Sequence, residues 1–480
     1  MVYRRGKETV GMGLLSPKRL SVEDNYVRMT ETPVSRLISS LAIPTIITML
    51  VTTFYNMADT VFVSRLGTQA SGAVGIVFSL MSIIQAIGMT LGLGAGNFIA
   101  RLLGAKEDEK AQQVLSSAFF SALGIGSLLL VAGTAFLEPF MRLLGSTETI
   151  LPYAKAYGSI ILFGAPIMAA SFVMNTALRS EGSASLGMRG MVTGSLLNVI
   201  LDPILIFTFD LGIRGAAIAT VFSQAVAFTI LLSFYLRKRS IVRLSFGAFR
   251  FKRWIYREIF TTGMPALYRQ GLASISMIVL NNVAAPFGDA ALAAMTIVTR
   301  TMQFLGSALI GFGQGFQPVA GFSWGAKRLD RLRAAYRFSL LTGVIGFIII
   351  GTFGFIFAPA IMRFFIKTDP AVVEIGSLAM RLQSLLMPLQ AVSIIISMLF
   401  QSIGKAKQAS LTALSRQGLF FIPTILALPP AIGLLGLQVS QPIADLATFI
   451  FAVVMAKKFW RTTDAAMAFN SVDGKSRTDP

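Results

Sequence analysis

Twelve apolar runs bounded by charge divide this chain, at about 37–63, 71–98, 114–137, 153–178, 186–209, 215–236, 259–285, 290–317, 336–360, 378–403, 410–433 and 436–456. Most are long enough to cross about 30 Å of hydrocarbon as a helix, some with tilt. They are continuously apolar, without the alternation that a β-barrel needs. Composition points the same way. Charged residues are 13% of the chain and apolar residues 54%, whereas a soluble globular protein carries about a quarter charged residues. The expected fold class is an all-α polytopic membrane protein of about twelve transmembrane helices.

The distribution of Lys and Arg sets the orientation. With the N-terminus inside, the even-numbered connections and both ends of the chain hold 32 of the 42 basic residues. The odd-numbered connections hold Arg65, Arg142, Lys155, Arg214, Arg363, Lys367 and Arg381, and the spans hold Arg269, Arg300 and Arg416. The net charge of +20 therefore reads as a topology signal and not as a nucleic-acid surface. The first residues (Arg4, Arg5, Lys7, Lys18, Arg19 and Arg28 among them) are basic and lack an apolar core, so they read as a cytoplasmic tail and not a cleaved signal peptide. The expected organisation is a cytoplasmic N-terminal tail over 1–35, spans one to six over 36–236, a basic cytoplasmic linker over 237–258, spans seven to twelve over 259–458, and a cytoplasmic C-terminal tail over 459–480. The chain is expected in the cell (inner or plasma) membrane, as a monomer in contact with lipid.

The two groups of six spans resemble each other. A shift of 221 residues brings Pro44 to Pro265, Gly67 to Gly288, Ala73 to Ala294, Val77 to Val298 and Gly104-Ala105-Lys106 to Gly325-Ala326-Lys327. At 222, Pro166 meets Pro388 and Gly182 meets Gly404. Gly92, Gly94 and Gly96 find a similar pattern in Gly311, Gly313 and Gly315. Six is an even number of spans, so both halves insert the same way. That predicts two six-helix lobes related by a pseudo-two-fold along the membrane normal, with a cavity between them.

Charged groups inside lipid are costly and mark function or a partner. The spans hold Asp59, Asp202, Arg269, Arg300, Arg416 and Asp445. Asp59 lies near the outer end of span one. Asp202 lies in span five, with Asn198 four residues earlier on the same helical face, and Pro203 after it frees the carbonyl of Val199. Tyr157 and Thr220 lie at matching depth in spans four and six. These five side chains form a candidate site for a proton or a sodium ion, with sodium on Asp59, Asp202 and Asn198. The chain has no histidine, so a transported proton must ride on a carboxyl group. In the second half Leu280 stands opposite Asp59, and the candidate cavity residues there are Arg269, Gln270, Asn281, Asn282, Arg300 and Gln314. Asp445 is the expected partner of Arg300, and Arg416, near the inner end of its span, is expected to snorkel. The 22 Met and 38 Phe residues suit a promiscuous cavity for amphipathic molecules.

Across residues 35–460 the chain resembles the multidrug and toxic compound extrusion (MATE) family. The resemblance rests on Asn56-Met57-Ala58-Asp59-Thr60, on Gly92-x-Gly-x-Gly before Gly104-Ala105-Lys106, and on Arg179-Ser180-Glu181-Gly182. It rests also on Asn198-x-x-x-Asp202-Pro203, Gln314-Gly315-Phe316-Gln317-Pro318 and Phe400-Gln401-Ser402-x-Gly404-Lys405. It implies a V-shaped pair of lobes that exports small organic cations or amphipathic drugs in exchange for protons or sodium, without a cofactor. It also implies a cation site on Asp59, Tyr157, Asn198, Asp202 and Thr220. Relatives with an acidic residue in span seven differ from this chain, which has Arg269 and Gln270 there, so coupling through a C-lobe carboxylate is not expected. The sequence looks closest to the bacterial branch that includes staphylococcal multidrug exporters. The alternative within the superfamily is a flippase of lipid-linked saccharide, which the intramembrane arginines leave open. A channel would need polar rings lining a pore, and an enzyme would need catalytic clusters; neither is found in the sequence.

Overall fold

A computed structural model describes residues 21–366 and 369–476, so Arg4, Arg5, Lys7, Lys18, Arg19 and Lys367 lie outside the described residues. The described chain is helical: α1 (Val22–Glu31), α2 (Val34–Ser64), α3 (Thr68–Gly104), α4 (Asp108–Ala135), α5 (Leu137–Leu143), α6 (Leu151–Ser180), α7 (Ala184–Pro203), α8 (Gly212–Leu236), α9 (Arg253–Ala284), α10 (Asp289–Gly325), α11 (Leu329–Ile356), α12 (Ala358–Phe365), α13 (Pro370–Ser402), α14 (Ala406–Leu414), α15 (Ile422–Ile432) and α16 (Leu434–Ser476). Single π-helical stretches extend α7 over Ile204–Thr208 and join α14 to α15 over Ser415–Phe421. Ten helical segments have both the length and the apolar character of a membrane span. α9 and α10, of 32 and 37 residues, complete the twelve by length; their charged and polar residues lower their hydropathy.

The repeat is written into the backbone. Gly67 and Gly288 both take positive φ, at 109° and 92°, a region that only glycine occupies freely. Lys106 and Lys327 share left-handed φ values of 60° and 56°. The short helices α5 and α12 correspond, and each buries one methionine, Met141 and Met362. Leu128 of α4 and Ile349 of α11, again 221 apart, are 67% and 65% exposed. Large apolar side chains left open on matching helices suit a lipid surround.

Close approach between the halves occurs at the end of the bundle that carries the basic 237–252 connection. There Gly104 of α3 lies against the Phe322 carbonyl of α10, and Gly325 of α10 lies against the Arg101 carbonyl of α3. The two contacts interconvert under the shift of 221. So do two others: Gly94 against Gly263, and Gly315 against Ala42. The two-fold therefore aligns Gly94 with Gly315, two residues off the register in which the sequence pairs the glycine triplets. Thr45 donates to the Gly311 carbonyl (2.6 Å), and Arg101 pairs with Glu258 across the halves (3.1 Å). Within the segment expected as an N-terminal tail, α1 packs over this same end. Arg331 donates to the carbonyls of Met29 and Thr32, at 2.9 and 2.6 Å, and Arg28 to that of Gly182 at 3.2 Å.

Candidate functional site

Helices α2 and α7 finish, and α6 and α8 begin, at the end of the bundle opposite the basic connection. That polarity brings Asp59, Asp202, Tyr157 and Thr220 to one level, because each sits within about three turns of that end. α7 contributes twice. Asn198 and Asp202 are one turn apart, and the Asn198 amide donates to Asp202 Oδ1 (3.3 Å) and to Thr220 Oγ1 (3.4 Å). Asp202 is fully buried and Asn198 nearly so. Asp59 is close enough to act electrostatically on Asp202 and on Tyr157.

What distinguishes this cluster is its unmet acceptors. Asp59 Oδ1, Asn198 Oδ1, Asp202 Oδ2 and the Tyr157 hydroxyl are all shielded from solvent without a hydrogen-bond partner. Buried polar atoms are ordinarily paired, and a buried carboxylate is costly unless a positive group offsets it. Two carboxyl oxygens, an amide oxygen and a phenol oxygen left unpaired in one buried cluster suit a proton or a monovalent cation. Pro203 and the π-helical stretch after it add to this, since a π-bulge interrupts the regular backbone ladder and is frequent at functional sites. Three further side chains belong here. Tyr55, buried, lies one turn before Asp59 and within reach of both carboxyls and Gln224. Ser223, one turn beyond Thr220, is also buried with an unpartnered hydroxyl. Helical spacing from Asp59 and Thr220 is the signal that marks these residues in the sequence.

The second-half residues are dispersed. Arg269 and Gln270 are half-buried on α9, Asn281 is half-buried, and Asn282 and Arg300 are exposed. Gln314 is buried and accepts from Arg179 (2.6 Å), linking α6 to α10 at the basic end. The expected Arg300–Asp445 pair is corrected: Asp445 pairs with Arg416 instead, Nε to Oδ1, at 2.7 Å. Arg416 accordingly does not snorkel to an interface. The π-helical stretch that carries it turns the side chain toward α16, where a carboxylate offsets its charge.

A family model described as MatE matches residues 44–204 and, a second time, residues 265–426. The chain belongs to the MatE family. The two matches start at Pro44 and Pro265, the shift read from the repeat. Among relatives, the multidrug export protein MepA of Staphylococcus saprophyticus is 27% identical over 415 residues, 86% of this chain and 91% of MepA. MepA of Staphylococcus aureus strain NCTC 8325 is 25% identical over 426 residues, 88% of this chain and 94% of that protein. A MATE solved in complex with MaL6 superposes with a TM-score of 0.87 at 27% identity, covering 92% of this chain and 99% of that one. The outward-facing conformation of a multidrug resistance MATE transporter gives the same TM-score and identity, covering 92% and 98%. The membership places this chain among multi-pass transporters built from two MatE halves.

Proposed function

We propose that this MatE protein exports amphipathic, often cationic, drugs across the cell membrane in exchange for a proton or sodium ion, by alternating access. The four unpartnered buried oxygens of the N-half carry the coupling part of this reading. Two carboxyls within interaction range favour holding one cation between them, because like charges in a low dielectric repel until one is neutralised. The drug part draws on the staphylococcal relatives, whose names describe multidrug export. The basic end is the cytoplasmic face by the positive-inside rule, so both ends of the chain are cytoplasmic. The glycine crossings hold that face closed, so in this reading access to the site is from the opposite, outer side.

In this reading the cation and the drug compete through conformation. A cation entering from outside occupies Asp59, Asn198 and Asp202, and removes the repulsion that favours the open cleft. The ligand that binds one state better draws the population toward it. Ethidium efflux from cells tests the site. Asp59→Asn and Asp202→Asn are each expected to cut efflux to the level of cells without the transporter. Wild-type rates in both variants would refute the assignment. Imposing a sodium or a proton gradient alone on proteoliposomes then separates the two ions.

A further inference from the structure

The C-half holds a polar cluster that the coupling reading does not use. Two glycine turns fix its relation to the N-half. Gly212, the first residue of α8, and Gly433, just before α16, both take positive φ. Gly215 lies against the Leu205 carbonyl, as Gly436 lies against that of Leu428. α8 and α16 thus superpose with a shift of 221, which aligns Thr220 with Gln441 and Gln224 with Asp445. On α2 and α9 the same shift aligns Tyr55 with Ser276. α7 and α14 begin at Ala184 and Ala406, so Arg416 falls at the level of Gly194, one turn before Asn198.

The two aligned sites are filled in opposite ways. In the N-half, Asp59 Oδ1, Asn198 Oδ1 and Asp202 Oδ2 are buried without a partner. In the C-half, Asp445 Oδ1 accepts from Arg416 Nε (2.7 Å) and from Gln441 (2.9 Å), and Oδ2 accepts from the terminal nitrogen of Arg416 (3.4 Å). The Gln390 amide oxygen, in the orientation that satisfies both groups, accepts from both terminal nitrogens at 3.0 and 3.2 Å. Ser276 caps the neighbouring π-helical carbonyl of Gln417 at 2.9 Å. Among the described residues, Gln390, Gln441, Asp445 and Ser276 have no unpartnered buried side-chain oxygen. The positions equivalent to Asp59, Asn198 and Asp202 are Leu280, Phe420 and Thr424, and none of them carries a charge.

We propose that Arg416 is a built-in cation: its guanidinium permanently holds, about one turn nearer the basic end, the place that the coupling ion holds transiently in the N-half. A guanidinium stays protonated throughout the accessible pH range. The Arg416–Asp445 pair therefore keeps zero net charge through the cycle, and only the N-half changes charge. Arg416 is on this account the residue that limits the transporter to one coupling site.

The proposal rests on the reading of the N-half cluster as the cation site. Its test counts cations bound per purified full-length transporter, as radioactive sodium retained and as protons exchanged on titration. Wild type is expected to bind one equivalent, lost in Asp202→Asn. Arg416→Ala strips Asp445 of its partner and is expected to raise the count to two. The second equivalent should disappear on adding Asp445→Asn and persist on adding Asp202→Asn. A folded Arg416→Ala protein that still binds one equivalent overturns the proposal. Should that variant fail to fold, Arg416→Gln, which keeps a polar side chain of similar reach without the charge, serves in its place: two equivalents are expected there, and one overturns the proposal. If Asp202→Asn binds as wild type does, the N-half reading fails, while the difference between Arg416→Ala and wild type still reports on the C-half.

Discussion

Glu181 shows how one residue ties the basic connection to the bundle. It follows α6 directly, is 1% exposed, and its Oε2 accepts from the Ser240 hydroxyl (2.8 Å) and from the backbone N–H groups of Ile241 and Val242 (both 3.0 Å). Its Oε1 is buried without a partner. Burial pushes the carboxyl up to about 7, against the opposing pull of those hydrogen bonds. A carboxyl raised in the folded state contributes stability that is full below its unfolded value, near 4.5, and is lost as pH rises through about 7. The melting temperature of wild type is therefore expected to fall relative to Glu181→Gln between pH 5 and pH 8. Parallel curves for the two proteins across that range would count against it. The facing groups are Arg28, which binds the next carbonyl, and Tyr235, whose hydroxyl is committed to Met174 O.

Helices that cross as closely as α3 and α10 need glycine at the crossing. A Cβ on Gly104 would meet the Phe322 carbonyl, and one on Gly325 the Arg101 carbonyl. Both obstacles are backbone, so no rotamer change relieves them. Gly104→Ala and Gly325→Ala are each expected to cost about 2 kcal/mol, the usual scale for overpacking a close contact. The symmetry of the crossing predicts similar losses for both, read as lowered melting temperatures of the purified protein. Gly75→Ala, with open space around its Cβ position, serves as the neutral control.

Across the whole molecule, the proposed alternating-access cycle would require the basic end to open. The Arg101–Glu258 ion pair is one of the contacts holding it closed, and Arg101 also reaches Thr262 Oγ1 (3.4 Å). The natural chain has no cysteine, so a single introduced thiol gives a clean reporter. Asn97→Cys, at a position 3% exposed on α3, is expected to react slowly with a membrane-impermeant maleimide added to inside-out vesicles. Adding Arg101→Ala should raise that rate several-fold by weakening the closed state. Equal rates in the two backgrounds would show that the ion pair does not hold the gate.

The apolar runs, their number and the 221-residue repeat were legible in the sequence, because each span must satisfy its own backbone inside lipid and so declares itself locally. The same reasoning singles out Asp59 and Asp202 as candidates, since a carboxylate in an apolar run is conspicuous wherever it points, and Asn198 by its one-turn spacing from Asp202. Partner choice was not legible. Depth along the span assigns Asp445 to Arg300 and leaves Arg416 to snorkel, and only the π-helical stretch over Ser415–Phe421 and the packing of α16 gave Asp445 to Arg416. Tyr55 and Ser223 escaped notice because a hydroxyl in a span is ordinary until its neighbours are known. The sequence by itself determined two like halves in a membrane. It also showed that the second half lacks the carboxylate pair of the first. The tertiary structure decided how each half is filled: burial left several oxygens of one half without a partner and supplied those of the other with a guanidinium.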